Sequence, residues 1–381
     1  RFDRQLLYRE NLTPDYLGTF VFPNEDDRSA LQDTAEALQA AHDEKLSHAA
    51  KEVQSSYYGI IALDGDNMGK WLSGSNAPLL ETLYPSAVWD ALDADAQAAI
   101  RSVGQRPMTP AVHATMSQAL AAFALQQVRP IVDAHDGFLV YAGGDDVLAF
   151  VSVDAVLDVL VHLRAAFSGH RTTDGTVDLA GTPTGFLEAD DRLLTTLGPG
   201  ASASAGVAIA HYKAPLGMVL DTAYQMEKKA KNAGRNRAAL AVLKRSGERN
   251  EAILPFQGAD HPEGLLAVFR ELVADLQAQD ISPTFMRTIR QELYPLMDRQ
   301  TGTLDHKDFP IAADFLRAEL YRLIRRKSNA EADWAAATAD RLVAAYRAAD
   351  EHLDTFLSAL DITLFLHKET LAAHAPVDYA A

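Results

Sequence analysis

Two pairs of acidic residues stand at the ends of apolar runs in this chain. They are Asp64 and Asp66, directly after the apolar run 57–63, and Asp145 and Asp146, between the apolar runs 138–142 and 147–153. Hard divalent cations take oxygen ligands, and Mg²⁺ is usually held by one or two carboxylates together with substrate phosphates. The two pairs therefore predict a magnesium site whose substrate is a nucleotide.

The spacing within each pair suggests how a nucleotide would be held. On a strand, residues i and i+2 share a face, so Asp64 and Asp66 are expected to project together. Gly65 between them leaves room for a phosphate near the backbone, as do Gly143 and Gly144 at the hairpin. Asp-Gly and Gly-Asp are also common in ordinary turns, so either pair alone predicts only a turn. Both pairs together, in this order, favour a site for two metal ions.

A basic cluster stands out in the acidic chain. Its members are Lys228, Lys229, Lys231, Arg235 and Arg237. Cations are favoured at the C-terminal end of a helix, and that alone explains such a cluster. A triphosphate bound with Mg²⁺ also needs cationic partners, for which lysine supplies a point charge and arginine a fork. Lys231 and Arg235, four residues apart, are the candidates for this contact.

The elements predicted around these residues alternate between strands and helices. The pattern predicts a helix over 29–53, a strand over 57–63, short helices up to 107, a helix from Thr109-Pro110, a hairpin over 138–153, a helix over 154–167, a strand over 202–211, a helix over 216–231 and a last strand over 238–243. Pro130 is expected to kink or end the helix before the hairpin. This order contains the βαββαβ pattern of a ferredoxin-like fold.

The chain is therefore predicted to be an α+β protein with a ferredoxin-like (βαββαβ) domain followed by an all-α domain. Residues 1–54 are predicted to be a linker helix and the tail of an upstream domain. Residues 55–250 are predicted to form the ferredoxin-like domain, with a Gly-, Thr- and Asp-rich insertion at about 168–200. Residues 260–381 are predicted to form a helical bundle.

Composition narrows the class of protein. At 381 residues, two domains are a better expectation than one. The net charge of −17 argues against a protein that binds nucleic acid on its own, and without cysteine there is no disulfide or thiolate zinc site. No run is apolar for long enough to span a bilayer, so we expect a cytoplasmic protein without a membrane partner. Because the first residue is Arg1 rather than Met, we expect a piece of a longer polypeptide.

Several motifs resemble known families. The segments YAGGDD (141–146), SAGVA (204–208) and AKNAGRN (230–236) resemble the successive signatures of GGDEF-type nucleotide cyclase palms. A narrower resemblance rests on ALDGDNMGK (62–70), the GGDD hairpin and AIAHYKAPL (208–216). It is to the second palm of the large catalytic subunit of type III CRISPR effector complexes, of the Cmr subtype. It covers about residues 57–243, and the helical remainder resembles that subunit's C-terminal domain.

The resemblance implies a nucleotidyltransferase that uses Mg²⁺ or Mn²⁺ and makes cyclic oligoadenylates from ATP, as an antiviral signal, when an RNA-guided complex binds target RNA. The implied metal ligands are Asp64, Asp145 and Asp146, with Asp66 a weaker candidate, and the implied phosphate ligands are Lys231 and Arg235. The implied partners are ATP, the other subunits of the complex and, mostly through them, the guide and target RNAs. No second palm and no HD nuclease set is recognisable, which leaves open whether turnover needs a second palm supplied from outside this sequence.

Two other functions stay open from the sequence alone. A free-standing GGDEF-like enzyme would make a cyclic dinucleotide as a homodimer, because two half-sites must face each other. A scaffold subunit would bind nucleotide or protein partners without turnover. The full acidic set at Asp64, Asp145 and Asp146 argues against the scaffold.

The histidines add weaker candidates. His113, near the start of the helix before the hairpin, is predicted either to contact a base or ribose or to be an ordinary polar residue at a helix end. The dipeptides at His42 and His135 resemble HD nuclease ligands, but a helix and a turn explain them more simply. His211 is predicted to be structural.

Overall fold

The computed structural model of the chain describes residues 13, 28–41, 56–170, 172–173, 176–177, 181–189, 192–257, 264–277, 283–296, 312–327, 331–349 and 352–374. Within these residues a mixed six-stranded sheet carries helices on both faces, and further helices follow its last strand. The predicted α+β class is confirmed.

The strands follow the order expected of a ferredoxin-like sheet. They are β1 (Tyr57–Gly65), β2 (Phe138–Gly143), β3 (Asp146–Ser152), β4 (Thr172–Thr173), β5 (Thr176–Val177), β6 (Phe186–Ala189), β7 (Arg192–Thr195), β8 (Ala203–His211), β9 (Arg237–Leu243) and β10 (Arg249–Pro255). The large sheet has the order β10-β9-β8-β1-β3-β2, in which β8 and β9 are parallel and the other neighbours antiparallel. The part β8-β1-β3-β2 is the predicted βαββαβ arrangement.

The helices of the described residues fall between and after these strands. They are α1 (Arg28–Ala41), α2 (Met68–Leu72), α3 (Ser86–Asp90), α4 (Ala94–Val103), α5 (Pro110–Ala122), α6 (Val128–Ala134), α7 (Val156–Ser168), α8 (Leu216–Asn232), α9 (Gly264–Gln277), α10 (Pro283–Leu293), α11 (Ala312–Lys327), α12 (Ala332–Ala348) and α13 (Leu353–His374). Short 3₁₀ turns occupy 80–83 and 294–296. The predicted helix over 29–53 is seen as α1, and its residues after 41 lie outside the described part.

Gly206 allows helix α8 to lie directly on strand β8. All of β8 is buried, because α7 and α8 cover the two faces of the sheet. A Cβ on Gly206 would lie 2.1 Å from the carbonyl oxygen of Ala223 and from the amide nitrogen of Glu227. Both atoms belong to the backbone of α8, so no larger residue fits without moving the helix. The C-terminal end of α8 is thereby held beside the end of β1.

The opposite face of the sheet shares one apolar core with the C-terminal helices. Members of this core include Ile61 and Val207 from the sheet, Leu160 from α7, and Leu272 and Leu360 from α9 and α13. An ion pair of 2.7 Å between Arg270 and Asp158 also joins α9 to α7. The helical part is therefore packed against the sheet rather than separated from it.

The helix before the hairpin differs from the prediction at Pro130. A five-residue π-helical segment, Phe123–Gln127, connects α5 to α6, and Pro130 lies inside α6 without ending it. Proline lacks an N–H and clashes with the carbonyl one turn earlier. The wider π turn directly before it supplies the needed irregularity, as such segments do elsewhere.

Two further features were not anticipated in the sequence. Strand β10 pairs with β9 and continues the sheet past residue 250, although 238–243 reads as the last strand. Because the first half of β10 is polar and its last residue is proline, its sequence does not show the pattern of a strand. The predicted insertion contains two small hairpins, β4–β5 and β6–β7. The division of the chain into domains near 250–260 stays a prediction.

In the described part of the chain, each helix is too short or too polar to cross a lipid bilayer.

Candidate active site

The GGDD motif forms a two-residue hairpin loop between β2 and β3. Gly143 pairs with Asp146, so Gly144 and Asp145 make the turn. Gly144 has a φ of +64°, in the left-handed region that favours glycine, and a side chain there would meet open space. The backbone conformation thus explains this glycine. A phosphate contact of Gly143 and Gly144 stays a prediction.

Strand β1 carries Asp64 to the same hairpin. β1 and β3 pair up to Leu63 opposite Val147, so the next residues of β1 run alongside the loop. A Cβ on Gly65 would lie 2.8 Å from the Cβ of Asp145 and 2.9 Å from its Oδ2. The space expected to admit a phosphate at Gly65 is instead filled by Asp145. The glycine is required because the hairpin packs closely against the strand.

Three carboxyl groups meet at this point. Asp64 lies close enough to Asp145 and Asp146 for its carboxylate to raise the pKa of both. Burial raises the pKa of Asp145 to about 6, repulsion from the other two carboxylates adds to the rise, and a backbone hydrogen bond opposes it. Burial and the nearby Asp64 also raise the pKa of Asp146. Like charges held this close need a cation to be ionised together.

Lys231 supplies one positive charge to this cluster. From the last turn of α8 its ammonium contacts the carboxylate of Asp64 and lies 2.7 Å from Glu227, one turn earlier. Burial opposes the charged form of Lys231, but hydrogen bonds to the two carboxylates outweigh it and raise the pKa. Glu227 is missed in the sequence interpretation, although its i,i+4 spacing to Lys231 could have indicated it.

Asp66 does not join the other three carboxylates. It is 2% exposed and accepts hydrogen bonds of 2.7 Å from the hydroxyls of Ser202 and Ser204 and of 2.9 Å from the amide of Asn236. Its own amide donates to the carbonyl of Ser202. The expectation that it works beside Asp64 is corrected here, because its oxygens already accept hydrogen bonds from the start of β8, the residue before it and the turn after α8.

Arg164 extends the Asp66 network to helix α7. Its guanidinium donates to the amide oxygen of Asn236 at 2.6 Å and to the hydroxyl of Ser168. Burial lowers its pKa to about 10, whereas the charge of Asp66 raises it, so the group stays cationic at neutral pH. An arginine among the apolar residues in the second half of the helix 156–168 is the sequence signal that could have revealed this network.

The turn after α8 has an unusual backbone. Arg235 and Asn236 have φ of 65° and 51°, the left-handed region that non-glycine residues rarely adopt. Asn236 is held there by Asp66 and Arg164. Arg235 is exposed and forms no ion pair with a described side chain. Its contact with phosphate stays a prediction, and no described side chain occupies its guanidinium.

The candidate histidines lie on different elements of the fold. His113 is exposed on α5 and forms no hydrogen bond with a described acidic residue. His135 bonds through Nδ1 to the carbonyl of Ile131 at the end of α6, which is the predicted helix and turn explanation. His211 is nearly buried and packs edge-on against Tyr57, in agreement with a structural role. The dipeptide at 42–43 lies outside the described residues.

The chemistry of the donors fits a hard divalent cation. Asp64, Asp145 and Asp146 offer carboxylate oxygens only, which are the ligands Mg²⁺ prefers. Among the described residues, no set of three or more acidic or histidine side chains is already arranged to hold a metal ion. The ammonium of Lys231 occupies the position beside Asp64. A bound cation would lower the raised pKa values of Asp145 and Asp146, because it favours the ionised carboxylates.

The geometry agrees with the result of a comparison with protein families. Residues 57–239 match the model described as Cas10/Cmr2, second palm domain. This part of the chain belongs to that family. The match runs from the start of β1 through the GGDD hairpin and α8 into β9, so the second palm domain contains every carboxylate of the acidic site.

Two curated relatives carry the same name. The CRISPR system Cmr subunit Cmr2 of Pyrococcus furiosus is 37% identical over 206 residues, which are 53% of this chain and 20% of that protein. The Cmr2 of Saccharolobus solfataricus is 34% identical over 155 residues, 41% of this chain and 14% of that protein. The chain thus spans a fifth or less of the length of these relatives.

Two solved structures share the fold of the second palm domain and its neighbouring helices. A cryo-EM structure of type III-B Cmr-beta in the apo state superposes with a TM-score of 0.54 at 19% identity, covering 73% of this chain and 34% of that one. Cmr-beta bound to cognate target RNA gives 0.54 at 18% identity, covering 82% and 37%. At such identities the likeness concerns the fold alone.

Proposed function

We propose that this chain is the cyclase part of a type III CRISPR effector subunit and that it joins ATP molecules into cyclic oligoadenylates. The observation that carries the proposal is the contact of Asp64 with Asp145 and Asp146, which brings two distant strand ends into one acidic site. Membership of the Cas10/Cmr2 second palm family supports the setting. The matched Cmr-beta structure bound to cognate target RNA supports target RNA as a partner, and we propose other complex subunits and guide RNA as further partners.

The proposed reaction is nucleotidyl transfer. The 3′-oxygen of one ATP attacks the α-phosphorus of another, a phosphodiester bond forms, and the bond to pyrophosphate breaks while the hydroxyl proton leaves. Chemistry of this kind depends on positioning and charge neutralisation more than on a protein nucleophile. The acidic site therefore needs to hold cations and phosphates in line rather than to form a covalent intermediate.

Asp64, Asp145 and Asp146 would hold Mg²⁺ or Mn²⁺, which when bound activates the hydroxyl and neutralises charge on the α-phosphate. Lys231 would exchange its contact with Asp64 for the triphosphate, and Arg235 would contact the same phosphates from the exposed turn. The Asp66 network would keep that turn in place. His113 would contact the base or ribose.

The second ATP needs a binding surface of its own. We propose that another palm, in the same complex, provides it, because joining two nucleotides requires two half-sites that face each other. Asp145 is half-buried and Asp146 is exposed, which leaves the hairpin accessible to such a partner.

The decisive experiment replaces Asp145 and Asp146 by alanine in the assembled complex with target RNA and ATP. Chromatography with mass spectrometry should detect cyclic oligoadenylates from the wild type and none from the double variant. The control is Asp314→Ala with Asp333→Ala, two exposed acids on α11 and α12. Retained synthesis in the hairpin variant would reject the assignment. Cyclic dinucleotides made by the chain alone would favour a free-standing cyclase, and ATP binding without turnover would favour a scaffold.

A further inference from the structure

A separate cavity lies at the other end of the sheet. It has a volume of about 710 Å³ and lies between the start of β1, the turn from β9 to β10, and helices α10 and α13. Tyr57 at its edge begins β1, whereas Asp64 lies near the end of that strand. Seven residue steps separate the two sites by roughly 23 Å at about 3.3 Å per residue. The volume lies within the range of about 300–1,000 Å³ that is usual for small-molecule sites.

The lining of this cavity is basic, although the chain as a whole is acidic. Its charged residues are Lys244, Arg245, Arg287, Arg290 and Lys368 on the basic side and Glu248, Asp361 and Glu369 on the acidic side. The chain has a net charge of −17, so basic residues are concentrated at this cavity relative to the rest of the chain. Such a surface attracts anions.

Several of these cations remain available to a ligand. Lys244 pairs with Glu248 at 2.9 Å, and Arg290 pairs with Asp361. Arg245, Arg287 and Lys368 form no ion pair with a side chain in the described ranges, and all three are exposed. Their charges come from three separate elements, which suits a polyphosphate with oxygens in several directions.

Aromatic rings and a buried histidine complete the cavity. The rings of Tyr57 and Phe365 meet edge-on at 4.9 Å, and the Tyr57 hydroxyl accepts the amide hydrogen of Arg245 at 3.2 Å. His367 lines the same cavity, is 4% exposed, and has a buried Nδ1 without a hydrogen-bond partner. Buried polar groups are nearly always hydrogen-bonded, so an unpaired one beside a cavity indicates a missing partner.

We propose that this cavity binds a nucleoside phosphate. Its phosphates would lie among Arg245, Arg287 and Lys368, and its base would lie against Phe365 and His367. Aromatic faces stack on bases without needing a particular sequence, and arginine forks match phosphate oxygens. Inorganic phosphate alone would leave most of the volume and the aromatic lining unused. The proposal does not depend on the catalytic function proposed for the acidic site.

Calorimetric titration of the full 381-residue chain tests this site. EDTA is present, and the background carries Lys231→Ala, Asp145→Asn and Asp146→Asn, which removes the lysine and two of the three carboxylates of the acidic site. We expect this background to bind one ATP. Adding Arg287→Glu and Lys368→Glu should weaken that binding at least 10-fold. The matched control adds Arg326→Glu and Arg347→Glu, exposed on α11 and α12, and should bind as the background does.

The ligands compared are ATP, AMP and pyrophosphate. Pyrophosphate that binds as tightly as ATP would overturn recognition of a nucleoside. Loss of ATP binding in the background, or unchanged binding after the two cavity substitutions, would overturn the site itself. Circular dichroism of each variant establishes that it is folded.

A second measurement uses the unaltered chain. Photo-crosslinking with 8-azido-ATP, followed by mass spectrometry of peptides, locates the base directly. Labelling of Tyr57 or of residues 364–369, competed by ATP, is the expected result. Labelling confined to the hairpin 143–146 and its surroundings would contradict the proposal, even if the substituted variants failed to fold.

Discussion

Lys231 and Asp64 form an ion pair between residues 167 positions apart, and the same ammonium also contacts Glu227. The pair joins the last turn of α8 to the end of β1, directly beside the GGDD hairpin. A lysine in this position can neutralise the carboxylates when no metal is bound and contact phosphate when one is.

Replacing Lys231 by alanine should weaken ATP binding in the presence of Mg²⁺. A charged hydrogen bond contributes about 2 kcal/mol, so we expect roughly a 30-fold loss of affinity. Equilibrium binding of a fluorescent ATP analogue measures it. Lys228→Ala is the control, because Lys228 is exposed on the same helix and should change affinity little. Equal effects of both substitutions would mean that only the general charge of the helix matters.

Asp145 should make metal-free stability depend on pH. Its pKa is raised from 3.8 to about 6 in the folded chain. Between these values the folded chain keeps a proton that the unfolded chain has released, so the free energy of unfolding falls as pH rises. Asp145→Asn should therefore be more stable than the wild type above pH 6, by about 1 kcal/mol because water screens the half-exposed group, and no different below about pH 4.

Urea unfolding in EDTA at several pH values measures this effect of Asp145. Asp90→Asn, at the end of α3, controls for loss of an exposed carboxylate. A wild type and an Asp145→Asn variant with the same pH profile would show that the carboxylate is not crowded. Since metal binding requires ionised ligands, Mg²⁺ should also stabilise the wild type more above pH 6 than at pH 5.

Asp66→Ala should destabilise the fold far more than Asp64→Asn. It removes the acceptor for Ser202, Ser204 and the amide of Asn236 and leaves the buried Arg164 without its nearby negative charge. Breaking a buried ionic network by removing one partner costs about 3–5 kcal/mol.

Guanidinium unfolding of the two variants provides the comparison. Asp64 is partly exposed, so its replacement by asparagine should change the free energy of unfolding by less than about 1 kcal/mol. A mild effect at Asp66 together with complete loss of nucleotide binding would instead assign Asp66 to the ligand site.

Gly65→Ala should impair nucleotidyl transfer with a small loss of stability. The new Cβ would lie 2.8 Å from the Cβ of Asp145, so the hairpin must move and the carboxylates separate. Overpacking of this kind costs about 1–3 kcal/mol, and we expect at least a 10-fold fall in the rate of product formation.

Gly69→Ala is the matched control for Gly65→Ala. A Cβ on Gly69 meets nothing within 4 Å, and the residue lies in helix α2, where alanine is the better helix former. Its stability and product formation should equal or exceed those of the wild type. Full activity in Gly65→Ala would show that the spacing of strand and hairpin is not critical.

Features that depend on neighbouring residues could be predicted from the sequence. The apolar runs around 57–63 and 138–153, the glycines of the GGDD turn and the glycine after α8 identify their elements because strand period and turn chemistry act over a few residues. The order of these elements was enough to predict the ferredoxin-like arrangement. It was also enough to predict that Asp64 lies near the hairpin.

The tertiary structure alone decided which polar groups share a site. Asp66 lies two residues from Asp64, yet it bonds to Asn236, 170 positions away, and to Ser202 and Ser204 around the start of β8. Strand β10 joins the sheet by pairing with β9, although its own residues do not show a strand pattern. The cavity beside Tyr57 forms only where β1, the turn from β9 to β10, α10 and α13 pack together. Contacts between residues far apart in the chain depend on how whole helices and sheets fit together, and short-range periodicity does not contain that information.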